Sequence, residues 1–217
     1  MSKAAERRSH ILETIASAAK LARRNPADIQ LVAVSKGRSS AEIEALIEAG
    51  QRDFGENRVQ EVLAKWPALL NRYPDVRLHG IGQLQTNKAA DAVKLFNVIH
   101  SLDRRSLLDA LVRHGEKAGR FPDVFVQVNI GEEDQKGGCP IGDVEELVSA
   151  VRSSPLSLAG LMCIPPAGLQ ASPFFALLYK LARRYDVMTL SMGMSADYRD
   201  AVMLGATTVR IGTALFE

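Results

Sequence analysis

One lysine closely follows a short apolar run in the first fifth of the chain. Leu31 to Val34 are apolar, and Ser35 separates them from Lys36. An unbroken run of this kind, closed by a polar turn, is typical of a strand buried on both faces. If Lys36 points into a barrel mouth, desolvation and a nearby cation would lower its pKa, and a neutral amine can form a Schiff base with a carbonyl. A solvated lysine just past a strand is the simpler interpretation, so the rest of the chain must decide.

Two segments near the C-terminal end combine glycines with hydroxyl side chains. Residues 191–195 read Ser-Met-Gly-Met-Ser, and residues 211–213 read Ile-Gly-Thr. Glycine lets backbone N–H groups approach an anion, and Ser or Thr hydroxyls can complete a phosphate site. Either segment alone is better explained as a tight turn that caps a helix. Together with the lysine they suggest a ligand with both a phosphate and an aldehyde, and pyridoxal phosphate is the common molecule with both.

The elements that must position these residues alternate along the chain. Apolar residues at helical spacing among charges predict a leading amphipathic helix over about residues 3–24. Ser40 is expected near the start of the next helix, and Pro67 is expected to end the helix that contains Trp66. The predicted strands lie at about residues 29–35, 52–54, 77–82, 98–101, 124–130, 158–163, 188–191 and 208–211.

Strands that alternate with helices predict a parallel sheet. Eight such units predict one domain over residues 1–217, an α/β fold built as a single (β/α)8 TIM-type barrel with an extra N-terminal helix. An open doubly wound sheet is the alternative, but no GxGxxG follows the first strand. In such a barrel the site lies at the carboxyl ends of the strands. The candidates are Lys36, Asn57, His79 or Gln83, Asn129, Met162, Ser191 with the turn after it, and Arg210 with Gly212 and Thr213.

Composition limits the other classes of function. The net charge of +2 gives no reason to expect nucleic acid as a partner. Cys139 and Cys163 lie far apart, which favours reduced thiols in a cytosolic protein, and we find no metal-ligand spacing. No apolar segment of signal-peptide or membrane-spanning length is present, so we expect a cytoplasmic protein without a membrane segment. A monomer is expected, because a barrel closes on itself.

Several segments resemble the family of pyridoxal phosphate homeostasis proteins, in the right order from about residue 29 to the end. The Ser-Met-Gly-Met-Ser and Arg-Ile-Gly-Thr segments are specific together. Four places depart from the family pattern. Gly80 stands where a bulky aromatic is usual, and Glu217 where glycine is usual. Residues 37–39 after Lys36 read Gly-Arg-Ser, and residues 164–173 look shortened. The segments that carry the resemblance are residues 33–36, 54–57, 79–88, 136–138, 160–162, 190–197 and 209–216.

The resemblance implies a barrel similar to the N-terminal domain of bacterial alanine racemase, with pyridoxal 5′-phosphate held as a Schiff base on Lys36. It implies that Asn57 lies beside the cofactor and that Arg210 faces the pyridine nitrogen, which weakens the ring as an electron sink. It further implies a phosphate site made by Ser191, Gly212 and Thr213, with Ser195 as a further candidate. The complete predicted set of cofactor-binding residues is Lys36, Asn57, His79, Ser191, Ser195, Arg210, Gly212 and Thr213.

Three functions compete. The first is a carrier in vitamin B6 homeostasis that runs little or no catalysis and passes its cofactor to apo-enzymes. The second is an amino-acid racemase, which needs a second base; the related racemases take a tyrosine from an added β-domain, and we expect none here, because all four tyrosines fall in or beside predicted helices. The third is a class I aldolase in which Lys36 attacks a sugar phosphate directly, and fold-level analogy alone cannot separate it.

Overall fold

The computed structural model describes residues 2–217, so Met1 of the predicted domain lies outside the described residues. The strands are Gln30–Val34 (β1), Asp53–Glu56 (β2), Arg77–Gly80 (β3), Val98–Leu102 (β4), Asp123–Val128 (β5), Leu158–Cys163 (β6), Leu190–Ser191 (β7) and Thr208–Ile211 (β8). The helices are Lys3–Leu21 (α1), Ser40–Glu48 (α2), Val59–Arg72 (α3), Ala89–Leu95 (α4), Arg105–Ala118 (α5), Val144–Arg152 (α6), Ser172–Arg184 (α7), Tyr198–Met203 (α8) and Thr213–Phe216 (α9).

The strands form one closed parallel barrel in chain order. Each strand pairs with the next, and β8 pairs with β1, where Leu31 lies opposite Val209 and Ala33 opposite Ile211. Because every connection returns to the same end of the barrel through a helix, all carboxyl ends of the strands meet at one rim. This architecture confirms the predicted (β/α)8 barrel.

The leading helix α1 completes the outer ring. Ser2 caps it by accepting a hydrogen bond from the backbone N–H of Ala5. Its buried face is made by Ile11, Ile15 and two alanines, and it packs against α8, α9 and α2. The helix after β8 has only four residues, so α1 covers the side of the barrel that α9 is too short to cover. Among residues 2–217 no helix combines the length and the apolar character needed to cross a membrane.

One of the two predicted helix boundaries was wrong and the other was confirmed. Helix α3 continues through Pro67 to Arg72. Proline removes one hydrogen bond of a helix, but Trp66 and Leu69 on the inner face are buried and their packing holds both halves on the barrel. Helix α2 begins at Ser40, as predicted, and Ser39 caps it by forming a capping box with Glu42.

Candidate functional site

A cavity of about 640 Å³ opens at the carboxyl ends of the strands. This volume lies in the range of sites that take small ligands. Its wall is made by the ends of several strands and by the turns that follow them. The lining residues are Val34, Lys36, Arg38, Asn57, Ile81, Gly82, Gln83, Gln127, Gln135, Lys136, Gly137, Ile164, Met194, Ser195, Ala196, Arg210, Gly212 and Thr213.

The lysine singled out in the sequence lies on this wall. Val34, the last residue of β1, lines the same cavity, and Lys36 follows it by two residues in the turn after the strand. The expectation that Lys36 is desolvated was wrong, because its side chain is exposed at the open mouth. The reason is its place in the turn after β1, beyond the last paired residue of the strand.

A buried ion pair lies directly behind the Lys36 turn. Glu56 is fully buried, and its Oε1 accepts hydrogen bonds from Ser35 Oγ at 2.7 Å and Trp66 Nε1 at 2.9 Å. Lys65 Nζ lies 2.7 Å from the same oxygen and also donates to the carbonyls of Ser35 at 2.9 Å and Arg38 at 3.4 Å. Helix α3 carries Lys65 under this turn, where its side chain is only 13% exposed. We call Glu56 with Lys65 the carboxylate clamp, since together they tie residues 35–38 to β2 and α3.

The cation on the far side of the cavity comes from β8. Arg210 is buried, and it donates to Ser191 Oγ at 2.5 Å and to the carbonyl of Cys163 at 3.0 Å. Burial lowers the pKa of Arg210 to about 10, and Cys163 and Asp197 oppose this shift. The guanidinium is therefore still a cation at neutral pH, and its two hydrogen bonds hold it at the cavity wall.

Two predicted site residues lie below the cavity and not on its wall. Ser191 Oγ lies within hydrogen-bonding distance of His100 Nδ1 at 2.8 Å and of Arg210, and its side chain is fully buried. His79 Nε2 lies 2.9 Å from Asp53 Oδ1, at the opposite end of the barrel. Both side chains point inward as predicted, but the stagger of the strands puts them at deeper levels of the interior.

The remaining predicted residues come together at the mouth. Lys36, Asn57, Ser195, Arg210, Gly212 and Thr213 all line the cavity. Gly193 precedes Ser195 by two residues and has φ +95°, and a Cβ there would come within 2.5 Å of Ala201. A side chain at Gly193 would therefore push the turn off α8, and glycine is what lets the hydroxyl of Ser195 reach this rim.

The charge of the lining has one sign. Four cationic side chains contribute to it, and no carboxylate does among the described residues. Arg38 is paired with Glu217 at 2.5 Å, and Lys136 is paired with Glu133 at 2.6 Å. Lys36 and Arg210 have no carboxylate within salt-bridge distance in the part of the chain that the structure describes. A cavity of this composition suits a small anion such as a phosphate ester.

Several lining residues escaped the sequence analysis. Gln127 reaches the wall from β5 and donates to the carbonyl of Gly137, whereas Asn129 holds the following loop through the backbone of Glu133. Met162 is buried in the interior with Val98. Gln127 shares the strand face of Asn129, so the period of two could have suggested it.

Two of the positions that depart from the family pattern, Glu217 and Gly80, lie at the edge of the cavity. Glu217 pairs with Arg38, whose guanidinium also lies 5.1 Å from the ring centre of Phe216, so the chain end shapes one side of the mouth. A Cβ at Gly80 would lie 2.9 Å from the Phe96 ring. The wall there opens into a smaller cleft of about 300 Å³, which adjoins the main cavity at Asn57, Gly82 and Gln83.

Both cysteines are buried and unoxidised. Burial raises the pKa of the Cys139 thiol and of the Cys163 thiol to about 12. Such thiols stay protonated at neutral pH, and we assign them to packing. Within residues 2–217, no group of three or more His, Cys, Asp or Glu is arranged to hold a metal ion.

His100 makes the barrel interior sensitive to acid. It is fully buried, it stacks on Phe125 at 4.4 Å between ring centres, and His79, Ser191 and Arg210 face it. Desolvation, with smaller contributions from His79 and Arg210, lowers the pKa of His100 well below 6.5. The folded protein therefore keeps this imidazole neutral at pH values where the unfolded chain protonates it.

We expect the free energy of unfolding to fall as the pH drops below 6.5, because unfolding then takes up a proton at His100. The slope contributed by one such group approaches about 1.4 kcal/mol per pH unit and vanishes above that range. Urea denaturation between pH 5 and 7.5 measures it. His100→Gln keeps one acceptor and one donor and should flatten the slope. An equal slope in wild type and variant would contradict the assignment.

The chain is similar in sequence and structure to known proteins. The family model for the alanine racemase N-terminal domain matches residues 9–217. A pyridoxal phosphate homeostasis protein of Pseudomonas aeruginosa is 41% identical over 100% of this chain and 96% of its own length. The solved structure of PipY from Synechococcus elongatus without PLP gives a TM-score of 0.85 at 40% identity, covering 95% of this chain and 100% of that one. PipY with PLP bound gives 0.80 at 39% identity, covering 94% and 100%.

Proposed function

We propose, from the premise that this chain belongs to the pyridoxal phosphate homeostasis proteins of the alanine racemase N-terminal domain family, that its cavity holds pyridoxal 5′-phosphate for vitamin B6 homeostasis. One observation carries the proposal beyond the family name. A lysine amine and a buried arginine lie on a wall that bears cations and, among the described residues, no carboxylate. This combination fits a ligand with an aldehyde at one end and a phosphate at another.

The residues at the mouth divide into three proposed roles. Ser195, Gly212 and Thr213 offer hydroxyl and backbone donors for the phosphate. Arg210 is the cation for the pyridine nitrogen, and Asn57, on the same cavity wall, lies beside the cofactor. The predicted contact of Ser191 with the phosphate becomes, in our proposal, an indirect role, because its hydroxyl is engaged by Arg210 and His100. His79 also lies below the cavity, so in our proposal it too acts on the cofactor indirectly.

When bound, pyridoxal phosphate supplies a reactive aldehyde and a ring that can accept electrons. Lys36 holds the aldehyde as a Schiff base, and one water molecule is released when this bond forms. Arg210 stays protonated at neutral pH, and its charge opposes protonation of a nitrogen beside it. The carboxylate clamp fixes the turn that carries Lys36. These residues hold the cofactor more readily than they activate it.

The test of cofactor binding is peptide mapping. Purified protein is incubated with pyridoxal phosphate, reduced with borohydride, digested and analysed by mass spectrometry. We expect a visible absorption band that borohydride abolishes, and a pyridoxyl group on the peptide containing Lys36. A label on another lysine, or none at saturating cofactor, would refute the proposal. A class I aldolase, which takes a sugar phosphate at Lys36, should be colourless as purified, before any cofactor is added.

The cavity wall favours a carrier over a racemase. A racemase needs a second proton-exchanging group, and no Tyr, His, Cys, Asp or Glu lines the cavity among the described residues. Lys136, the other lysine on the wall, is held by Glu133 and by the carbonyl of Pro165. We therefore expect that L-alanine incubated with the loaded protein yields neither D-alanine nor pyruvate at an enzyme-like rate. Formation of either product at such a rate would refute the carrier proposal and show that the protein is an enzyme.

Delivery to apo-enzymes is the remaining part of the carrier proposal. Loaded protein is mixed with an apo-form of a pyridoxal phosphate enzyme, and the recovery of that enzyme's activity is followed in time. Recovery faster than the spontaneous release of cofactor into buffer supports direct transfer. Recovery at the rate of spontaneous release reduces the function to passive storage.

A further inference from the structure

A line of hydrogen-bonded side chains crosses the barrel from one rim to the other. It starts at Asp53, the first residue of β2, whose Oδ1 lies 2.9 Å from His79 Nε2. His79 Nδ1 lies 2.9 Å from His100 Nε2, and His100 Nδ1 lies 2.8 Å from Ser191 Oγ. The line ends where Arg210 donates to Ser191 at the cavity. We call these five residues the polar line.

Only one arrangement of protons satisfies every contact of the polar line when both imidazoles are neutral. An ionised Asp53 can only accept, so His79 carries its proton on Nε2 and accepts at Nδ1. His100 must then donate from Nε2 and accept at Nδ1, and Ser191 must donate its hydroxyl proton to it. Ser191 Oγ is left as an acceptor toward Arg210, which can only donate.

The two ends of the polar line carry opposite charges. Burial alone would raise the pKa of Asp53, but its hydrogen bond and electrostatic interaction with His79, its hydrogen bond with Gln30 and the charge of Arg77 lower it below its usual value. Asp53 is therefore ionised at neutral pH, and Arg210 at the other end is protonated. The three groups between them have side chains that are buried almost completely. When both imidazoles are neutral, the groups of the polar line are polarised in one direction between an anion and a cation and reinforce one another.

We propose that Asp53, at the rim opposite the cavity, is a positioning residue for Arg210 and acts through His79, His100 and Ser191. The anion selects the tautomer of His79, and each neighbour then selects the next. Through this selection Ser191 turns its hydroxyl proton to His100 and presents only acceptor lone pairs to Arg210. Without the anion, His79 and His100 can take the opposite tautomers. Ser191 then accepts from His100 as well as from Arg210, and its own proton has no acceptor among these five residues. The link to the cofactor rests on the proposed function, but the link to Arg210 does not.

Asp53→Ala tests the proposal, with Asp123→Ala as the matched control. Asp123 is likewise the first residue of its strand at the same rim, but it pairs with Arg77 and lies outside the polar line. Nitrogen-15 NMR of the histidine side chains in the cofactor-free protein reads the tautomers directly. We expect Nε2-protonated forms of His79 and His100 in wild type and Asp123→Ala, and averaged or Nδ1-protonated forms in Asp53→Ala. Wild-type tautomers in Asp53→Ala would overturn the proposal.

The loaded protein gives a second readout. We expect Asp53→Ala to shift the visible band of bound pyridoxal phosphate and to weaken cofactor binding about tenfold, roughly the effect of one charge-assisted hydrogen bond. Asp123→Ala should do neither. If Asp53→Ala changes the tautomers but the wild-type protein shows no visible band, the proposed function fails and the positioning role stands. Changed tautomers with an unshifted band and wild-type affinity would overturn the positioning role at the cofactor.

The variants His79→Gln and His79→Leu test whether His79 acts through the direction of its hydrogen bonds or only by filling space in the interior. Glutamine can accept from His100 and donate to Asp53, so it keeps the direction of the polar line, whereas leucine interrupts it. We expect His79→Gln to keep the Nε2-protonated form of His100 and to retain a near-wild-type visible band, and His79→Leu to lose both. Equal loss in the two variants would assign His79 to packing and overturn the proposed relay.

Discussion

Lys36→Ala is expected to abolish the visible band that the wild-type protein develops with pyridoxal phosphate. The band depends on a covalent bond to one amine, and this is the only lysine on the cavity wall without a carboxylate partner among the described residues. The folded state should be unaffected, because the side chain is exposed and makes no hydrogen bond to another described residue. Absorption spectra at saturating cofactor and reduction with borohydride measure the loss. We expect no reducible adduct on the variant.

Lys136→Ala is the matched control for this experiment. It removes the other lysine of the cavity wall, whose amine is paired with Glu133 and donates to the carbonyl of Pro165. The visible band should persist in this variant, with affinity reduced by a few-fold at most through the loss of one screened cation. A visible band that survives in Lys36→Ala and disappears in Lys136→Ala would place the covalent bond on Lys136 and refute our assignment.

Glu56→Gln should lower the free energy of unfolding by about 3 kcal/mol, as expected when one partner of a buried ion pair is removed. The amide can still accept from Ser35 and Trp66, but Lys65 then remains in a largely buried place without its anion. Because Lys65 also ties down the backbone of residues 35–38, we expect weaker cofactor binding as well. Urea denaturation and cofactor titration measure the two effects.

Adding Lys65→Met to Glu56→Gln provides the control for the carboxylate clamp. The double variant removes both charges at once, so no uncompensated ion is left in the interior. Its loss of stability should be smaller than the sum of the two single losses by at least about 1 kcal/mol. Strictly additive losses would show that Glu56 and Lys65 stabilise the barrel independently of each other.

The two-residue alternation of side chains along each strand explains how much of the site could be predicted. In a barrel strand every second residue faces inward, and residues after the strand end reach the mouth. This rule brought Lys36, Asn57, Arg210, Gly212 and Thr213 to one cavity. It needs only the position of each strand, and the apolar runs and glycine turns mark those positions in the sequence.

The same rule could not separate the wall of the cavity from the interior beneath it. His79 and Ser191 face inward as expected, but they belong to the polar line below the mouth. Depth along the barrel axis depends on how far each strand is shifted against its neighbours, and that shift is a property of the closed sheet. His100 and Ser191 are separated by 91 residues, and no local sequence pattern predicts a contact between residues so far apart.

The amino-acid sequence by itself determined the barrel, the strand ends and the amine at the mouth, because each follows from local periodicity and from the chemistry of single residues. Only the tertiary structure decided that α3 passes Pro67, that Lys65 lies buried against Glu56, and that Asp53 is joined to Arg210 across the interior. These features arise where distant segments pack together. Their energy comes from burial and from charges that meet only after the barrel has closed.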